Sequence, residues 1–223
     1  RCMGNDVMIG EFPENAQRAA ICHTSWRKAK EEQSIYTFGY WGSKRKVAAD
    51  ICSYIPYNTQ SLFDPMAGSG NIPLLASMHG KSIICMESSL TPYLFLKGII
   101  DGEFPTKEQV DEALNFTSQP GWLTEHEHQK WFKDEWKQNV DGLIIHICQN
   151  MQPRNKGWLT LRGILAATLG SRYVGNHFRQ FSDHRTYDRK GLISSFLTFL
   201  ERITKIQLQL SYPRTITLTN WYE

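Results

Sequence analysis

The chain has 223 residues, a formal net charge of +3, 41% hydrophobic and 12% aromatic residues, values that suit one large domain, or a domain with a sizeable insertion, around a real core. No apolar run approaches the roughly 20 residues of a membrane-spanning helix, and no signal-peptide pattern opens the chain, so no membrane partner is expected. Cys2, Cys22, Cys52, Cys85 and Cys148 are an odd, unclustered set, which excludes a disulfide framework and a zinc ribbon and points to a reduced, cytoplasmic setting. Arg1 in place of an initiating Met implies that the natural reading frame starts earlier, or that the chain is a fragment.

Residues 14 to 33 read as a helix with Ala19, Ala20, Cys22 and Trp26 on its more apolar side. A loop at 39 to 46, "GYWGSKRK", leads into a second helix that reaches Tyr54 and stops before Pro56. Residues 61 to 64 form a short strand. Pro73 in the first turn and Gly80 past the last bracket a short helix. "SIICM" (82 to 86) reads as a buried strand, and "TPYLFLKGII" as a helix with Thr91 as N-cap and Pro92 at its first position. From 106 to 150 the composition turns polar and helical: "TKEQVDEALNF" and "TEHEHQKWFKDEWKQNVDGLIIHICQNM" are helices separated by Ser118-Gln119-Pro120-Gly121. Helix signals then mix with Gly and Arg up to 190. "GLISSFLTFLERITKIQLQL" aligns Leu192, Phe196, Leu200, Ile203 and Ile206 or Leu210 on one face, and "TITLT" after Pro213 alternates like a strand.

The centre of interest is "SLFDPMAGSGNIPLLASMHGKSIICMES", a strand, glycine turn, helix and strand ending on an acid. Such a unit begins a doubly wound α/β domain, whose ligands lie at the carboxyl ends of the strands. A P-loop needs Gly-Lys-Ser/Thr, but the turn continues Gly70-Asn71-Ile72; a dinucleotide fingerprint needs a third glycine where Pro73 stands. What remains is a ligand that lies against the turn and is held through its ribose. Gly68 and Gly70 permit close main-chain approach. Glu87, 17 residues after Gly70, is placed to accept two ribose hydroxyls, and Asp64 to meet a positively charged group.

"FDPMAGSG" (63 to 70), the acid of "ICMES" and the upstream "GYWGSKRKVAADICSYIP" (39 to 56) together resemble the amino-directed DNA methyltransferases, which methylate adenine N6 or cytosine N4 with S-adenosylmethionine. The similarity runs from about 39 to 100, in order and in spacing. It implies a partial Rossmann-like methyltransferase fold of the α/β class, a doubly wound sheet with a helical insertion. By the same resemblance Tyr40, Trp41, Gly42, Ser43 and Lys44, with Asp64, Pro65, Ala67, Gly68, Ser69, Gly70 and Glu87, line the cofactor, and Asn220 contacts its adenine ring. The family's catalytic loop, Asp/Asn/Ser-Pro-Pro-aromatic, holds the weakly nucleophilic amine of a flipped-out base in line with the sulfonium methyl. No segment of this sequence has that form: "SQPGW", "YIPYN" and "TNWYE" each lack a Pro-Pro pair. The catalytic residues are therefore unassigned, and the loop is expected from a second polypeptide or a further segment, making the enzyme a split one, a heterodimer of the restriction-modification type.

Residues 154 to 190 carry eight Lys/Arg against Asp183 and Asp188. Within them "SRYVGNHFRQFSDHRTYDRKG" interleaves Arg172, Arg179, Arg185, Arg189 and Lys190 with aromatics, a pattern that suits DNA phosphates and exposed bases and equally an ordinary loop with arginines lying over a small core. His126 and His128, two apart on a helix, make a poor chelate, and a solvated helix face is the simpler reading, so no metal is expected. Trp131, Phe132 and Trp136 read as packing residues or a partner surface. Three regions follow: 1–102, with the cofactor unit; 103–190, a helical and partly basic insertion; and 191–223, a helix and strand returning to the sheet. An inactive methyltransferase-like DNA-binding or assembly subunit and an RNA methyltransferase are the competing readings.

Overall fold

The computed structural model describes residues 43–126, 133–151, 156–169, 188–210 and 216–220, together with Glu14, Ile35 and Thr37. The helix expected over 14 to 33 otherwise lies outside these residues. The first described helix, α1 (Ala48–Ser53), ends at Tyr54 as the approach of Pro56 requires. Strand β1 (Ser61–Asp64) runs into the glycine turn, and α2 (Asn71–Met78) starts directly after Gly70, which takes the left-handed conformation at φ +83°. Gly80, at φ +79°, ends α2: its N–H donates to the Ser77 carbonyl at 2.9 Å and that of Lys81 to the Ala76 carbonyl at 3.2 Å, the paired closure that a left-handed glycine allows.

Strand β2 (Ser82–Glu87) is followed by α3 (Leu90–Ile100). Its N-cap is Ser89, with an extended backbone, and not Thr91. Thr91 and Pro92 fall inside the first turn, where a missing N–H costs nothing because those donors have no partner within the helix. The polar region contains α4 (Lys107–Leu114), α5 (Trp122–His126) and α6 (Asp134–Ile145), the last continuing into a π-helix, His146–Asn150. The single helix expected from Thr124 to Met151 is thus not continuous. Lys133, at φ −68° and ψ 145°, is extended and starts α6 afresh. The α5 start is held instead by Asp141 of α6, whose carboxylate accepts from the N–H groups of Gly121, Leu123 and Thr124 at 3.1, 2.9 and 2.7 Å. Then come α7 (Lys156–Leu169), α8 (Arg189–Gln209) and β3 (Ile216–Asn220).

Among the described residues the sheet has three parallel strands, in the order β1-β2-β3. Both crossovers step in the same direction, so α2 and α3 lie on one face. Along β2 the pleat buries Ile83, Cys85 and Glu87 on that face and leaves Ile84 outward. The row Phe63–Ile84–Thr217 crosses the other face. There Phe63 is 57% and Ile84 52% exposed.

One continuous core joins the sheet to the helical region. Leu161, Ile164 and Leu165 of α7 and Leu192, Phe196, Phe199, Ile203 and Ile206 of α8 are buried with Leu74, Phe95 and Leu96. Contact between α3 and α7 is backbone to backbone. A Cβ at Gly98 would stand 2.9 Å from the Leu159 carbonyl, closer than real side chains approach, and one at Gly163 would stand 3.0 Å from that of Leu94, tighter than most real contacts.

Candidate functional site

The parallel register sets the ends of the strands side by side. Asp64 pairs with Cys85, and Glu87 with Asn220, so three residues expected at the cofactor, Asp64, Glu87 and Asn220, close the carboxyl ends of three adjacent strands. Between β1 and α2 the turn is tied to β2 twice. Ala67 N–H donates to the Met86 carbonyl at 3.0 Å, and Gly68 N–H to Glu87 Oε2 at 2.6 Å.

Glu87 is the pivot. Its second oxygen accepts from Ser89 N–H at 2.7 Å, and the residue is only 6% exposed. One carboxylate therefore locks the glycine turn onto the start of α3. A carboxylate offers about four lone-pair sites, so each oxygen keeps capacity for one further donor, as two ribose hydroxyls would require. At the end of β1, Asp64 Oδ1 accepts from Met66 N–H at 3.0 Å, an Asx turn that carries the chain outward through the exposed Pro65 and Met66.

The two glycines do different work. Gly68 adopts φ +55° and turns its N–H to Glu87. Gly70 combines φ +83° with direct packing, since a Cβ there would overlap Leu96 Cδ2. The missing side chain of Gly70 thus serves the fit of α3 beneath the turn rather than the approach of a ligand.

Beneath the turn lies a buried polar cluster. Thr37 Oγ1 is 3.0 Å from Ser69 Oγ and 3.1 Å from Asn71 Oδ1, and Asn71 Nδ2 donates to Ser69 Oγ at 2.8 Å and to Ser43 Oγ at 3.3 Å. Thr37, Ser69 and Asn71 are each at most 3% exposed. Ser69 and Ser43, expected to line a cofactor, thus hold the turn from within. This network joins the segment before α1 to the turn and braces it from within. Asn71 occupies the position where a phosphate-binding loop would carry its lysine, and its amide is spent on this scaffold. Thr37 and Asn71 were not legible as site residues: Asn71 was noted only for what it is not, and Thr37 has no local signal at all.

Electrostatically the strand ends are acidic. Burial, then the Asp64 carboxylate, then that of Glu87, push the Cys85 thiol up to about 12. Cys85 is a neutral packing residue between two acids and not a nucleophile.

Lys44 is exposed and next to the turn network through Ser43. Tyr40, Trp41 and Gly42 lie outside the described residues, as do Arg172, Arg179 and Arg185 of the basic stretch. Of that stretch Arg189 and Lys190 open α8. The Arg189 guanidinium sits 4.0 Å over the Phe116 ring, and its Nη2 donates to the Leu114 carbonyl at 3.3 Å, so this arginine is folded onto the helical region; Lys190 is exposed. His126 stacks on Trp122 with ring centroids 5.1 Å apart, and Trp136 is a buried core residue. Trp131, Phe132 and His128 are outside the described residues.

The described residues form an α/β fold with a parallel three-stranded sheet and interspersed helices, consistent with a generic Rossmann-like topology. Among the described residues no helix is long and apolar enough to cross a membrane. No protein-family model, no curated protein and no solved structure matches the chain.

Proposed function

We propose that this chain is the S-adenosylmethionine-binding part of an amino-directed DNA methyltransferase, acting on adenine N6 or cytosine N4, with the Pro-Pro catalytic loop supplied by a second polypeptide or a further segment. The observation that carries the reading is the joint between two of the resembling segments: Gly68 N–H on the Glu87 carboxylate at 2.6 Å, at the carboxyl ends of adjacent parallel strands. A turn of the same sequence used only to join a strand to a helix has no need of a buried acid from the neighbouring strand.

The residues present fit the cofactor. Glu87 has free lone pairs beside the turn for ribose hydroxyls, and Asp64 supplies negative charge for a sulfonium or ammonium group. The bound cofactor would supply an activated methyl group. This chain's residues bind and orient it: Glu87 and the turn fix the nucleoside, Asp64 holds the charged end, and the Thr37–Ser69–Asn71 network keeps the turn from relaxing.

A second half would also cover Phe63 and Ile84, which stand more than half exposed among the described residues although parallel sheets are ordinarily buried on both faces.

A tryptophan-fluorescence titration with S-adenosylmethionine, with Trp41→Phe as control, tests the proposal. Saturable quenching that the control loses is the expected result, because the resemblance sets Trp41 at the cofactor. Absence of any saturable change would overturn it. Methyl transfer to DNA by this chain alone would sink the split assignment while leaving the cofactor assignment intact.

A further inference from the structure

A cavity of about 410 Å³ opens between α1 and α2, at the far end of α2 from the glycine turn and beside the starts of β1 and β2. That size is within the range of small-ligand sites. All of its lining residues fall between Ala49 and Lys81, in one unbroken stretch of the described residues. Ala49, Ile55, Leu75 and Ala76 make the wall apolar, and Cys52 adds a partly buried thiol. Burial raises the pKa of that thiol, so at neutral pH it is an uncharged part of the wall.

The acceptors at the helix ends are already engaged. The carbonyls of Ile51 and Cys52 accept from Tyr54 and Ile55 N–H at 3.1 and 3.2 Å, and those of Leu75, Ala76 and Ser77 accept from the N–H groups of His79, Lys81 and Gly80. Donors are what is left over. The Lys81 ammonium has three N–H groups, and two go to the carbonyls of Tyr57, at 2.9 Å, and Thr59. Both of these acceptors are neutral, so the positive charge persists, and among the described residues no Asp or Glu lines the cavity. His79, exposed at the rim, brings a ring N–H.

Two carbonyls hold the Lys81 ammonium in place before any ligand arrives, which removes the ordering cost of an unheld lysine. A carboxylate needs little more than the remaining Lys81 N–H and the His79 ring. A phosphate, with more charge and more acceptor oxygens, finds no further donors on the apolar wall.

We propose that this cavity binds a small organic monocarboxylate, its charged group on Lys81 and His79 and its short apolar body between α1 and α2 against Cys52. The site is separate from the glycine turn and does not depend on the cofactor reading.

Calorimetric titration of the full chain with phenylacetate at neutral pH tests it, with 2-phenylethanol as the uncharged comparison. Saturable binding with a Kd below about 1 mM is expected, weakened about tenfold by Lys81→Met. Because Lys81 also holds the loop before β1, His79→Gln serves as the second variant: it weakens binding about threefold and leaves the thermal midpoint unchanged. Cys52 reports the position of the ligand. Phenylacetate at about ten times its Kd slows alkylation of Cys52 by N-ethylmaleimide about tenfold, read on the Cys52 peptide, and leaves the exposed Cys148 unaffected. No saturation up to about 10 mM phenylacetate overturns the site. Equal affinity for 2-phenylethanol, or full affinity in His79→Gln and Lys81→Met alike, overturns the carboxylate class. Binding that leaves Cys52 alkylation unchanged puts the ligand elsewhere and overturns the cavity assignment.

Discussion

The two ends of the sheet use the same elements to opposite effect. At the carboxyl end, α2 and α3 begin, and main-chain N–H groups of Gly68 and Ser89 converge on one buried carboxylate. At the amino end the same helices finish, joined by α8, and a cavity lined by Asp101, Glu103 and Gln207 lies between them. A parallel α/β arrangement imposes this segregation, since every crossover helix points its amino end to the same side. The first end would by default attract anions. Glu87 and Asp64 reverse its sign, and the rise of the Cys85 thiol to about 12, which burial causes first, registers both acids as well. A site of this kind suits a ligand with hydroxyls and a cationic centre, not a phosphate.

Substitutions at the two ends can break or sharpen that contrast. The largest effect belongs to Gly70→Val, which puts a branched side chain into a left-handed conformation and against Leu96. A loss of about 3 kcal/mol or more in urea unfolding is expected, together with loss of any ligand at the turn. Glu87→Ala comes next. It leaves the Gly68 and Ser89 N–H groups without their acceptor and costs about 2 kcal/mol by the same measurement; a change of a few tenths would mean that the turn holds itself.

A control away from both ends is Thr106. Its hydroxyl accepts from Gln109 N–H at 3.3 Å while Gln109 Oε1 accepts from Thr106 N–H at 2.9 Å. Thr106→Ala therefore lowers stability by about 1 kcal/mol and leaves the S-adenosylmethionine titration unchanged.

At neutral pH the smallest effect is that of Cys85. Its folded pKa is raised by burial and the two acids from the ordinary 9.0 to about 12, so the folded chain holds the thiol proton more tightly than the unfolded chain. The associated stability is complete below pH 9 and is lost as pH rises toward 12. Denaturant midpoints across that window should fall more steeply in the parent chain than in Cys85→Ala. Thiol reagents at neutral pH should modify the exposed Cys148 while Cys85 stays intact until the chain unfolds.

Much of the strand–turn–helix–strand unit was legible because its signals are local. Pro73 and Gly80 bracket α2, the short apolar run marks β2, and the order of glycines and acid predicts a turn beside Glu87. What escaped depends on partners distant in sequence. Thr37 reaches Asn71 across 34 positions, and Gly98 is small because α7 lies on it. Asp141 caps α5 from another helix, and the extended Lys133 interrupts what reads as one periodic stretch. The capping of α3 was misread for a simpler reason. Thr91-Pro92 carries a strong start signal, but Ser89 and Leu90 continue the same geometry two residues earlier, where Ser89 N–H is also needed by Glu87.

Calorimetric titration of S-adenosylmethionine into this chain alone, beside Gly68→Asp, tests the central claim most directly. Aspartate at Gly68 strains a left-handed backbone at φ +55° and sets a second negative charge against Glu87, so a thermal melt beside the titration shows whether the variant keeps its fold. The account predicts one site with a Kd of about 1–100 μM in the parent chain and no measurable heat in the variant. No binding by the parent chain, or equal binding by both, would contradict it.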